Sequence, residues 1–180
     1  MSRPTPLYPI VYESIVRDAL REDLGRAGDL TTDAIVDPEA RATGLVAARR
    51  AGRVAGLDVA VSAFRRLDPE VEVEVLVPDG SDAEAGASLA RIRGRAREML
   101  SAERVALNLL GRLCGIATTT RDLVRAIEGT GAEIACTRKT TPLLRALEKY
   151  AVRVGGGSNH RYGLDDAVLI KDNHRVLAGG

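Results

Sequence analysis

The sequence predicts an α/β protein in two parts: an α+β unit with a mostly antiparallel sheet over residues 1–110, then parallel β/α units over residues 111–180. Three observations carry this expectation. Residues 9–24 place apolar side chains at helical spacing; residues 71–77 alternate valine with glutamate before a turn; beyond residue 130, short apolar runs are separated by a helix or a long loop.

Taken in order, Val11, Ile15, Val16, Ala19, Leu20 and Leu24 form the stripe of an opening helix over 9–24, ended by Gly25 and Gly28. Residues 43–48 and 53–57 read as short strands around Gly52, and residues 58–67 as an amphipathic helix. The run VEVEVLV (71–77) enters Pro78-Asp79-Gly80 as a half-buried strand enters a turn, and residues 88–94 form another strand. Met99, Ala102, Val105, Ala106, Leu109, Leu110 and Leu113 give one long helix over 96–113, followed by a second helix over 116–127 that Gly129 and Gly131 end. A strand is expected at 133–136, a helix at 142–151 with proline in its first turn, a strand at 152–154, a glycine-rich loop and a strand at 167–170. The boundary between the two parts falls in or after the long helix, near Leu110.

With 180 residues, 45% of them hydrophobic and 28% charged, the chain can bury a substantial core, which excludes intrinsic disorder. Lys+Arg 26 against Asp+Glu 25 leaves a net charge of +1, so nothing draws the whole molecule to nucleic acid or an anionic membrane. Any anion chemistry must be local. An aromatic content of 3% also argues against a base-stacking surface. No apolar run approaches the roughly 18 residues that a spanning helix needs, and the first residues lack a signal-peptide hydrophobic run; a cytoplasmic protein is expected. Cys114 and Cys136 form neither a CxxC nor a ligand cluster, and read as two reduced thiols.

Three strand candidates run into cations: Ile134-Ala135-Cys136 into Arg138-Lys139, Val152-Arg153-Val154 into His160-Arg161, and Val168-Leu169-Ile170 into Lys171. C-terminal ends of parallel strands converge on ligand sites, so Arg138, Lys139, His160, Arg161 and Lys171 are expected to meet and to await an anion. Any one of these pairs alone is ordinary loop charge; the repetition raises it above that. Arg104, Asn108 and Arg112 share a helical face, which by pattern alone is a solvated surface. Gly155-Gly156-Gly157 lets backbone approach a phosphate, a weak signal without a Walker pattern. His160 and His174 lack an HExxH motif, cysteine pairing or a carboxylate partner, so no protein metal site is assigned. The alternating run Arg91–Arg97 suits an amphipathic strand better than a nucleic-acid patch.

The segments EDLGRAGDLTT (22–32), ERVALNLLGRLCGIAT (103–118), TRKTTP (137–142) and GGGSNHRYGLDDAVLIKDNH (155–174) resemble the quinolinate phosphoribosyltransferase family. The resemblance implies an α/β fold in which an N-terminal open-faced sandwich precedes an incomplete seven-stranded β/α barrel, and a homodimer in which each N-terminal domain covers its partner's barrel mouth. It implies that Arg104 reaches quinolinate across the dimer and that Arg138, Lys139, His160 and Arg161 grip it. Lys171 is implied to contact substrate or the phosphoribosyl donor, with Lys139 and Lys171 as the catalytic pair. Phosphoribosyl pyrophosphate with Mg²⁺ is the implied second substrate. At about 30 residues per β/α unit, the chain reaches only the first part of that barrel, so little activity is expected from these 180 residues alone. Two other readings stand beside this one: a phosphoribosyltransferase-like relative linked to molybdate transport, and a non-catalytic dimerisation fragment.

Overall fold

The computed structural model describes residues 4–179. Helix α1 (Pro9–Leu24) starts on a proline whose fixed φ suits the first helical position, and buries Tyr12, Val16 and Leu20 at four-residue spacing. Gly25, at φ 56°, ends it as expected. A six-residue helix, α2 (Leu30–Ile35), is too short for apolar periodicity to announce; its signal is a cap, the Asp29 carboxylate accepting from Thr32 N at 3.0 Å.

Strands β1 (Arg41–Ala47), β3 (Glu72–Val75) and β5 (Ser88–Arg95) form an antiparallel sheet in the order β1-β5-β3, while β2 (Gly52–Arg53) pairs with β4 (Asp82–Ala83). On β5 Ile92 is buried while Arg91 and Arg93 point outward toward Glu74 and Glu72 of β3, so the basic run is one face of an amphipathic strand. The strand expected over 53–57 is only the two residues of β2. Leu57 instead begins α3 (Leu57–Leu67), because the Asp79 carboxylate accepts from Gly56 N at 2.6 Å and Leu57 N at 3.1 Å and satisfies the first turn. Gly56 is at φ 91°, and any β-carbon there would collide with Leu113.

Helix α4 (Ala96–Ala126) is continuous over 31 residues, about 46 Å at 1.5 Å per residue, where the sequence suggests two helices. Interior glycines cost on the order of 1 kcal/mol each, yet Gly111 and Gly115 are outweighed by the packing of Leu109, Leu110, Leu113 and Ala117 along one buried face. This helix packs on α3 and on α5 (Arg145–Val154), and so joins the sheet unit to the rest of the chain in one core.

Past α4 the expected strand pattern shifts. Residues 152–154, read as a strand, are the last turn of α5, whose amphipathic stripe of Leu147, Tyr150, Ala151 and Val154 overrides the β propensity of its valines. The parallel pairing falls further on, as a single bridge between Ala135 and Ser158. Cys136 N donates to Ser158 O at 3.0 Å and Ser158 N to Ile134 O at 2.8 Å, with α5 as the crossover. Pro142 sits in the turn before α5 rather than in its first turn. Residues 167–170 form no strand, and Val168 and Ile170 are exposed; a short helix, α6 (Asp172–Leu177), follows. No barrel is closed among the described residues.

Asp68, at the end of α3, is 1% exposed and accepts from Arg95 N at 3.0 Å and Glu70 N at 3.1 Å. The hydrogen bond from the Arg95 amide, joined by Glu70 and the Arg95 charge, outweighs burial and holds its carboxyl below the usual range. A depressed folded-state pKa stabilises the fold above the unfolded value of about 3.9, and that contribution disappears as pH falls through the folded value. Asp68→Asn is expected to cost about 1–3 kcal/mol in urea denaturation at pH 7. The gap between variant and wild type should narrow at pH 3; an equal gap at both pH values would contradict this assignment.

Candidate anion site at the paired strand ends

The bridge between Ala135 and Ser158 sets the register of two chain segments that leave the same end of a parallel pair. Arg138 and Arg161 each lie three positions beyond the bridged residues, with Lys139 and His160 beside them. Four of the expected site residues are thereby brought to adjacent strand ends.

The 137–141 loop is folded on itself: Lys139 N donates to Thr137 Oγ1 at 3.1 Å and Thr140 N to Arg138 O at 3.0 Å. Arg138 is half-buried, and its Nε is fully enclosed with no hydrogen-bond partner. A buried donor left unpaired costs free energy, which an incoming acceptor would recover. Lys139 is exposed. Arg161 is half-buried and spends one donor on Ala167 O at 2.7 Å, while the His160 ring is exposed.

The two remaining candidates stand apart. Lys171 lies on an exposed segment, its backbone N–H donating to His174 Nδ1 at 2.9 Å, and its expected convergence with the other cations is not seen because residues 167–170 do not join the pair as a third strand. Arg104 is exposed on α4. It lies two turns, about 12 Å, from Arg112 along the same helical face, and forms no ion pair among the described residues.

Arg112 is not simply solvated. Its Nε donates to Glu148 Oε1 at 3.0 Å, and its Nη2 reaches both Glu148 and Thr141. Glu148 is buried, and its other oxygen accepts from Thr141 N at 3.1 Å, which anchors the far end of the Arg138 loop to α5 and α4. Burial pushes the Glu148 carboxyl up, but the bonds from Arg112 and Thr141 more than offset it and hold the carboxyl below its usual range. The phosphate-cradle reading of the triple glycine does not hold: the amides of Gly155, Gly156 and Gly157 donate to Ala151, Arg153 and Val152 carbonyls, so they are consumed in closing α5.

Sequence reasoning missed Glu148 and Lys149, both buried on α5. Their signal was present: two successive charges enclosed by Leu147 and Tyr150 cannot all face water on an amphipathic helix. Both cysteines are free, as expected. No helix of the described residues is long and apolar enough to cross a membrane.

An antiparallel α/β unit is joined by a long helix to a crossover between two paired segments, with a guanidinium group on the loop beyond each end. Among known families, the pattern described as quinolinate phosphoribosyl transferase, N-terminal domain, matches residues 29–114, and its C-terminal domain counterpart matches residues 116–180. The chain belongs to the quinolinate phosphoribosyl transferase family. A Mycobacterium leprae relative named nicotinate-nucleotide pyrophosphorylase [carboxylating] is 47% identical over 91% of this chain and 58% of its own length. A Bacillus subtilis relative, named as the probable enzyme of that kind, is 46% identical over 88% of this chain and 54% of its own. The crystal structure of NadC from Streptococcus pyogenes superposes with a TM-score of 0.92 at 42% identity, covering 97% of this chain and 62% of that one. This chain thus spans little more than half the length of the relatives it matches.

Proposed function

We propose that this chain serves phosphoribosyl transfer from phosphoribosyl pyrophosphate to quinolinate with decarboxylation, giving nicotinate mononucleotide, pyrophosphate and CO₂ in NAD biosynthesis. The observation that carries the reading is the buried, unpartnered Nε of Arg138 beside a strand end that leads into Arg161. Quinolinate is a rigid dicarboxylate, and two planar guanidinium forks match two carboxylates in a way that point charges do not.

In the proposed reaction the pyridine nitrogen attacks ribose C1, and pyrophosphate leaves with the electrons of the C1–O bond. The ring nitrogen becomes quaternary. When the 2-carboxylate departs as CO₂, the electron pair of the broken C–C bond is held next to that cationic nitrogen until a proton arrives. The protein's part is to orient the ring and balance charge, and only contacts that strengthen as charge redistributes accelerate the step. Lys139 is proposed to follow that charge, with Lys171 as its partner once its segment is drawn in. Mg²⁺ is proposed to enter with the donor's diphosphate; no group of three His, Cys, Asp or Glu stands together among the described residues to hold it, and no step is assigned to it.

The proposed assembly is a homodimer in the cytoplasm, with Arg104 contributing to the partner's site. A mixing test follows. Arg104→Ala and Arg138→Ala each remove one half of every site, but in a mixed dimer both losses fall on the same site and leave the other intact. Random re-association of the two variants is expected to restore quinolinate binding to about a quarter of sites, as C2 symmetry requires. Binding that stays absent in the mixture would remove Arg104 from the site. The basic test is calorimetry: saturable quinolinate binding by the folded chain supports the function, and no binding overturns it for these residues.

A further inference from the structure

We propose that Lys149 is a positioning residue for the anion site, holding the Arg138 and Arg161 loops in register; the proposal rests on the quinolinate reading above. Lys149 lies on α5, the crossover between the two paired strands, and is only 4% exposed. Its ammonium donates to Cys136 Sγ at 2.9 Å and to the His160 carbonyl at 2.8 Å. Cys136 is the last residue before the loop that carries Arg138, and His160 immediately precedes Arg161. One buried group therefore ties the base of one cation-bearing loop to the other.

The backbone does little of this work. Two hydrogen bonds around the Ala135–Ser158 bridge are the ladder, and residues 137–139 and 159–161 run on beyond it. Side chains cross-link the loops there: Cys136 Sγ donates to Asn159 Oδ1 at 3.3 Å, Arg145 donates to Thr140 Oγ1 at 3.1 Å and to Tyr162 O at 3.0 Å, and Lys149 is the most deeply buried of these ties. A buried ammonium is costly unless hydrogen-bonded, and no ion pair among the described residues includes Lys149. An apolar side chain of similar length would fill the same space without that cost, so what the lysine contributes is direction: two donors aimed at two loops. Arginine forks that meet a rigid dicarboxylate must be placed to within a fraction of an ångström, which makes such a tie matter for binding.

The test compares wild type, Lys149→Met, Arg138→Ala and the double variant by quinolinate calorimetry, with thermal melts and amide exchange at Cys136 and Ser158. Lys149→Met is expected to bind at least about tenfold more weakly, and to cost clearly less in the Arg138→Ala background, because groups coupled through one loop are not additive. Lys149→Arg, which keeps the donors, should recover most of the affinity. Unchanged affinity of Lys149→Met, or strict additivity with Arg138→Ala, would overturn the proposal, as would a lowered melting temperature with normal affinity. Should Lys149→Met fail to fold, Cys136→Ala removes one of the two acceptors and is expected to weaken binding severalfold; no change there counts against the tie. If wild type does not bind quinolinate, the functional reading falls while the exchange experiment still decides. Faster exchange at Cys136 and Ser158 in Lys149→Met supports the cross-link, and equal rates reject it.

Discussion

Arg138→Ala is expected to weaken quinolinate binding by about 1.5–3 kcal/mol, the range for hydrogen bonds to charged groups, with no loss of stability in the free protein. The second half of that expectation distinguishes a binding residue from a packing one. Arg138 Nε is enclosed and makes no hydrogen bond among the described residues, so its removal takes away an unsatisfied donor. The melting temperature should stay level or rise slightly. A lysine at 138 would keep the charge but lose the planar pair of donors, and is expected to recover only part of the affinity. Calorimetry on Arg138→Ala and Arg138→Lys checks both steps: unchanged affinity in the alanine variant would remove Arg138 from the site, and a large fall in stability would make it a structural residue instead.

What the sequence made legible follows from the range of the forces involved. Helix α1, the Arg91–Arg95 strand and the cation-bearing loops after residues 136 and 159 are visible because their signals lie in local periodicity and in short motifs. The strand at 152–154 was misread because two valines flanking an arginine look β-like in isolation. Only the burial of Leu147, Tyr150 and Ala151 against α4 shows that those valines finish a helix. Arg112 appeared solvated for the same reason: its partner Glu148 is 36 residues away, and nothing on its own helix points there. The three-way convergence of cations was reduced to two, because Lys171 follows a segment that makes no ladder bonds among the described residues.

The triple glycine is the clearest case of a local motif whose meaning is tertiary, and it yields the largest expected effect on stability. Gly155 caps α5 with its amide donating to Ala151 O at 2.9 Å, and it is buried against the C-terminal third of α4. A β-carbon added there would lie 2.5 Å from the Ala117 carbonyl oxygen and 2.6 Å from Thr120 Cβ. Neither neighbour can turn away: one is backbone inside a continuous helix, and Thr120 is held by its hydroxyl donating to Ile116 O at 2.8 Å. Relief requires α5 to move off α4 and carry Glu148 and Lys149 with it. Gly155→Ala is therefore expected to cost about 3 kcal/mol, at the upper end of overpacking effects, and to weaken quinolinate binding even in the fraction that stays folded. Urea denaturation with calorimetry below the transition reads both. A loss of stability without loss of affinity would mean that the helix contact and the anion site are independent, whereas coupled losses would place the close approach of α4 and α5 among the determinants of loop register. Gly156→Ala is the matched control: that residue sits at φ 92° but its β-carbon would come no nearer than 3.7 Å to Val124, so strain there should lower stability while leaving the α4–α5 spacing, and with it the affinity, in place.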